Sequence, residues 1–157
     1  MTSDVLPFGV GFLIPAYNPS RSLTHVVEDL KRSIAEKQMS IDLFPILIVD
    51  DGSTNGESLD ILNALENDGF HVLTNSYNRG KGGAIKAGLE FFASFKPSLV
   101  GVCTLDADGQ HAPDDAVNLA MHFVDSGASS FILGVRSFGK DVPLRSRLGN
   151  TFTRKIF

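Results

Sequence analysis

The chain has 157 residues, 43% hydrophobic and 20% charged, which fits one globular domain with a sizeable core. Its single cysteine excludes an internal disulfide framework and a multi-cysteine zinc site, and no apolar run reaches the roughly 18–20 residues of a membrane span. Charge is uneven: residues 1–135 carry 8 Lys/Arg against 17 Asp/Glu, a net of −9, whereas 136–157 carry 6 Lys/Arg against Asp141 alone, a net of +5. Such a tail calls for an anionic partner, and the acidic body excludes nucleic acid as that partner by repelling its backbone.

In chain order, the N-terminus lacks the basic segment of a signal peptide, and Pro7 and Pro15 interrupt its apolar stretch. Val10 to Ile14 reads as a short strand stopped by Pro15. Ser20 stands as N-cap to a helix with apolar residues at Leu23, Val26, Val27, Leu30 and Ile34. Phe44 to Val49 is a buried strand bounded by Asp50-Asp51-Gly52-Ser53. A helix with Leu59, Leu62 and Leu65 on one face follows, then a strand from Phe70 to Leu73. The next helix runs from about Gly82 to Phe95 with Ile85, Leu89 and Phe92 inward, and Pro97 follows its end. Leu99 to Leu105 is a strand in which Cys103 is expected to be a buried, unreactive thiol. Pro113 opens another helix, whose N-terminal dipole Asp114 and Asp115 complement. Ser130 to Val135 reads as a last strand, and Leu144, Leu148, Phe152 and Ile156 form one stripe of a helix from Arg145 onward. The sequence stops inside that helical pattern, so it reads as one domain over 1–157, truncated at its C-terminal side.

Strands separated by helices predict an α/β fold: a mostly parallel, Rossmann-like sheet with helices on both faces. Continuous apolar runs suit parallel strands covered on both sides. Ligands in such sheets bind beyond the carboxyl ends of the strands. Three strand ends carry unusual polar residues here: Pro15-Ala16-Tyr17-Asn18, Asp50-Asp51-Gly52-Ser53 and Asp106-Ala107-Asp108. They are expected to converge on one rim.

Asp106 and Asp108 stand one residue apart at a strand end, where unpaired carboxylates repel and lose hydration. A hard cation, Mg²⁺ or Mn²⁺, bridging them to a phosphate ligand relieves both costs. Gln110 offers a neutral oxygen as a third ligand, and His111 beside it is read as a shaping residue. Asp50 and Asp51, taken alone, are a turn with an N-cap; a carboxylate there also accepts from a nucleobase edge or a ribose hydroxyl. Asn78-Arg79-Gly80-Lys81-Gly82-Gly83-Ala84 is a glycine-rich turn into a helix that can present N–H groups and a cation to an anion, although it has neither P-loop nor dinucleotide-fingerprint spacing. Arg136, Arg145 and Arg147 beyond the last strand suit bidentate phosphate recognition.

Together, Phe12-Leu13-Ile14-Pro15-Ala16-Tyr17-Asn18, Ile48-Val49-Asp50-Asp51-Gly52-Ser53, the turn 78–84 and Asp106-Ala107-Asp108-Gly109-Gln110-His111 closely resemble the family 2 glycosyltransferases of the GT-A fold. Gly134-Val135-Arg136 and Arg145-Ser146-Arg147-Leu148-Gly149-Asn150 are similar to the dolichyl-phosphate mannose synthase and bacterial polyprenyl-phosphate glycosyltransferase branch, which serves cell-envelope biosynthesis. The resemblance implies a single glycosyltransferase catalytic domain. It would be an inverting, metal-dependent enzyme that moves a sugar from a UDP- or GDP-sugar to a polyprenyl-phosphate lipid at the inner, cytoplasmic face of a membrane. Pro15, Tyr17, Asp50, Asp51, Lys81, Asp106, Ala107 and Asp108 would bind the nucleotide sugar. Asp106, Asp108 and Gln110 would hold Mg²⁺ or Mn²⁺. Arg136, Arg145 and Arg147 would bind the acceptor phosphate, and Asp106, Asp108 and Arg136 would be catalytic. Pro19 stands where mannose synthases often have Glu, which leaves the base open. A hydroxyl acceptor in polysaccharide or glycan synthesis, and a non-catalytic nucleotide-sugar-binding fragment, are the alternatives. Homo-oligomerisation is also left open.

Overall fold

A computed structural model describes residues 9–96, 99–110 and 112–128, together with Ile132 and Gly134. All but Ile132 and Gly134 of the last expected strand, together with its following helix, His111, Arg136, Arg145 and Arg147, lie outside the described residues. Four strands, β1 (Gly9–Ala16), β2 (Ile46–Asp50), β3 (His71–Thr74) and β4 (Leu99–Thr104), alternate with four helices, α1 (Ser22–Glu36), α2 (Gly56–Asn67), α3 (Gly80–Ala93) and α4 (Pro113–Asp125). All the strand pairs are parallel and the order is β3-β2-β1-β4. The expected α/β class is therefore met.

The order explains where the helices go. The chain steps outward from β1 to β2 to β3, then returns past β1 to β4. Right-handed crossovers put helices on one face for the outward steps and on the other for the return. The two cores show this division. Val10, Phe12, Ile14, Ile46 and Ile48 pack with α1, α2 and α4, whereas Leu13, Leu47 and Val49 pack with Ala84 and Phe92 of α3. Every residue of β2, and all of β1 but Pro15, is buried. On the α3 face the contact is close: a Cβ on Gly88 would stand 2.1 Å from Leu13 Cδ1.

Several elements differ from the sequence expectation. β1 continues through Pro15 to Ala16, with Pro15 opposite Val49. Pro15 shares the strand parity of Leu13, whose carbonyl faces β4 and accepts from Leu105 N–H at 3.0 Å. By position 15, β4 has ended, so no ladder bond is lost to the missing N–H. β2 and β3 each start and end later than the apolar runs suggest, because Pro45 and Phe70 lead into them. α1 begins at Ser22 with Arg21 at its N-cap, while the Ser20 hydroxyl makes a 2.9 Å hydrogen bond with the Ser22 hydroxyl and only a long 3.4 Å contact to Ser22 N–H. Leu59 and Leu89 face solvent rather than the core. Ser58 takes the buried place in α2 by donating to the Pro19 carbonyl at 2.7 Å, and Gly88 takes it in α3, where only a residue without a side chain fits.

Candidate functional site

The strand order reverses between β1 and β4, and in open α/β sheets the crevice forms at that point. A cleft of about 290 Å³ lies there, lined by Pro15 and Ala16 of β1 and Tyr17 just after it, Asp51 after β2, Asp106 after β4, Asn78 just before α3, and Gly80, Lys81 and Ala84 in its first turns. The three polar strand ends do converge, but they contribute unequally.

The β2 end is built inward. Asp50 and Asp51 are 1% and 3% exposed. Asp50 Oδ1 accepts from Ser53 N–H at 2.9 Å, closing a tight turn. Both Asp51 oxygens accept from Arg79 N–H at 3.0 Å, and Oδ1 also accepts from Asn75 Nδ2 at 2.9 Å. Asp51 thus fastens the turn that leads into α3. Gly52, at φ +76°, lets that turn sit down: a Cβ there would meet the backbone of Tyr77 at 2.7–2.8 Å. Asn18, at φ +46°, accepts from Thr54 and Asn55 N–H and donates its own N–H to Ser53 Oγ, tying the β1 end to the β2 end.

The β4 end is built outward. Asp106 keeps about a third of its side chain exposed and is ion-paired with Lys81 across the cleft. Asp108 is exposed, and its Oδ1 accepts from Gln110 N–H at 2.9 Å in a short turn through Gly109. Ala107 is anchored by its carbonyl, which accepts from Ser22 Oγ at 3.0 Å. Pro15, Tyr17, Asp51, Lys81 and Asp106 are therefore brought into the cleft. Asp50 is buried outside its lining, and Ala107, Asp108 and Gln110 stand on the turn after Asp106 rather than in the lining.

No group of three or more His, Cys, Asp or Glu side chains is placed for a metal among the described residues. The donors on the β4 end are nevertheless hard oxygens, the Asp106 and Asp108 carboxylates and the Gln110 amide, and Asp106 already attracts a cation in Lys81. This donor set fits Mg²⁺ or Mn²⁺ completed by ligand oxygens. Among the described residues, Lys81 is the only cationic side chain in the cleft lining. α3 has no acidic residue in its first turn, so its N-terminal partial charge adds to that of Lys81. Burial pushes the half-buried Cys103 thiol up to about 11, as expected of an unreactive cysteine. Asn75 and Ser22 carry no distinctive mark in the sequence, since a lone amide or hydroxyl beside a turn is common to most loops.

The family model for glycosyl transferase family 2 matches residues 12–156, and the chain belongs to that family. A dolichol-phosphate mannosyltransferase of Mycosarcoma maydis is 30% identical over 152 residues, which cover 92% of this chain and 49% of that protein. A polyprenol monophosphomannose synthase of Mycolicibacterium smegmatis is 29% identical over 151 residues, covering 90% and 53%. The chain spans about half the length of the curated relatives it matches. Among solved structures, S. aureus TarS 1-349 in complex with UDP-GlcNAc superposes with a TM-score of 0.56 at 22% identity, over 87% of this chain and 37% of that one. This likeness concerns the fold, and it agrees with the GT-A expectation.

Proposed function

We propose that this chain carries the donor half of an inverting glycosyltransferase that moves a sugar from a UDP- or GDP-sugar to a polyprenyl phosphate. The observation that carries the reading is the cleft at the β1/β4 reversal. It joins a buried acidic floor at Asp51, an exposed acidic edge at Asp106 and the cationic start of α3 at Lys81. A nucleoside diphosphate matches that arrangement: a polar, planar part beside Pro15, Tyr17 and Asp51, and a polyanion at Lys81 and the α3 N-terminus. The names of the relatives supply the acceptor class.

In this reading Asp106, Asp108 and Gln110 hold Mg²⁺ or Mn²⁺. When bound, the ion neutralises the leaving diphosphate as a Lewis acid. The α3 N–H groups and Lys81 orient the diphosphate and stabilise the charge it gains as its bond to the anomeric carbon breaks. An oxygen of the lipid phosphate forms the new bond at that carbon from the opposite side. It is already anionic, so it needs positioning rather than a general base. Arg136, Arg145 and Arg147 are assigned to that positioning because the basic segment holds them close in sequence. No helix among the described residues is long and apolar enough to cross a membrane. The lipid is therefore assigned to a membrane surface that the +5 segment approaches through anionic headgroups.

The test supplies radiolabelled UDP- and GDP-sugars with Mn²⁺ and either a short-chain polyprenyl phosphate or a neutral glycan. Label in a polyprenyl-phosphate sugar is the expected product. Transfer only to the glycan hydroxyl, or donor binding without transfer to either, overturns the reading.

A further inference from the structure

The Lys81–Asp106 ion pair joins the first turn of α3 to the residue after β4, across the mouth of the cleft. Among the described residues that line the cleft, Lys81 alone carries a positive side chain. The Asp51 carboxylate is already occupied by Asn75 and Arg79. Lys81 thus sits on a carboxylate that the metal reading requires, and two positive charges do not share one carboxylate oxygen without mutual repulsion.

The geometry points to Lys81 as a built-in competitor of the divalent cation. In the ligand-free protein its ammonium neutralises Asp106, and a diphosphate entering the cleft draws that ammonium to itself and releases Asp106 to the metal. The inference rests on the donor-site reading above and adds an order to it: metal alone binds against the ion pair, and diphosphate and metal favour each other. By linkage the metal raises diphosphate affinity by the same factor as the diphosphate raises metal affinity. Both side chains are partly exposed, Lys81 at 62%, so the competition is modest. Exposed pairs of this kind correspond to about 2- to 5-fold in a binding constant.

The experiment titrates Mn²⁺ into the nucleotide-free chain and follows free Mn²⁺ by electron paramagnetic resonance. It compares wild type, Lys81→Met, Lys86→Met and Lys81→Met/Asp106→Asn. Lys86 lies on the same helix, where it pairs with Glu90 at 4.0 Å, and it controls for the loss of one positive charge. Lys81→Met is expected to bind Mn²⁺ about 2- to 5-fold more tightly than wild type. The gain is expected to vanish in the double variant and to be absent in Lys86→Met. In parallel, metal-free calorimetry is expected to show weaker uridine or guanosine diphosphate binding to Lys81→Met than to wild type. Unchanged or weaker Mn²⁺ binding by Lys81→Met, a gain equal to that of Lys86→Met, or a gain that survives Asp106→Asn overturns the inference. Failure of the donor reading is a separate result: neither diphosphate binds wild type even with Mn²⁺, whatever the Mn²⁺ titrations of the variants give.

Discussion

The carboxyl ends of β2 and β4 each present two acidic residues to the same rim, yet the fold treats them in opposite ways. Asp50 and Asp51 are sealed from water and hydrogen-bonded by backbone and amide donors. Asp106 and Asp108 stay in reach of solvent, the first paired with Lys81 and the second closing a local turn. A buried carboxylate such as Asp51, held by two donors through three contacts, makes a joint, because its charge is satisfied only while those donors stay in place. A solvated carboxylate beside a cleft can exchange its partner at little cost. The β2 pair therefore builds the site, and the β4 pair is left to meet a ligand.

Substitution separates the two ends most sharply at β4. Asp106→Asn and Asp108→Asn are each expected to lower sugar transfer by about 10²–10³-fold, the loss typical of removing one preorganised electrostatic group. Urea midpoints are expected to stay near that of wild type. A large loss of stability with either variant would make the β4 pair structural and erase the contrast. Asp51→Ala is expected to do the reverse first, lowering unfolding free energy by about 2–4 kcal/mol in urea titrations, because Arg79 N–H and Asn75 lose their acceptor together. A smaller effect, about 1–3 kcal/mol, is expected for Gly52→Ala, which combines a positive φ with a collision on the Tyr77 backbone. Nucleotide binding measured on the folded fraction should weaken in both, since the turn they hold carries Asn78 and Lys81 into the cleft.

The smallest effect concerns β4 itself. Burial raises the Cys103 thiol from its ordinary 9.0 to about 11, so the folded protein keeps a proton that the unfolded chain releases. The resulting contribution to stability is fully present below about pH 9 and is lost as pH rises through about 11. Cys103→Ala is expected to flatten the fall in thermal midpoint over that window. An unchanged slope would show that the thiol is as solvated as the carboxylates beyond it.

The elements and their parallel arrangement were legible because periodicity reports directly on burial. The continuous runs at Phe12–Ile14 and Ile46–Val49 are covered on both faces, and the helical spacing from Leu23 to Ile34 marks the buried side of α1. Helix faces were misread where a small residue replaced an apolar one. Ser58 and Gly88 are buried for a hydrogen bond and for a close approach, neither of which leaves a hydrophobic trace, and so Leu59 and Leu89 were assigned inward. The candidate site was legible as residue types at strand ends. Asp-x-Asp, Asp-Asp-Gly-Ser and the glycine-rich turn announce polar chemistry where an apolar strand stops.

By itself, the sequence determined the alternation of strands and helices, the location of charge at three strand ends, and a basic segment set apart from an acidic body. These follow from local composition and period, which need no knowledge of what packs against what. Only the tertiary structure decided the strand order β3-β2-β1-β4, and with it the reversal that opens the cleft. It also decided that Asp51 would be spent on holding Arg79 and Asn75, and that Lys81 would reach Asp106 across 25 residues of chain. Two aspartate pairs that look alike in sequence differ because hydrogen-bond saturation and solvent exposure depend on distant parts of the chain.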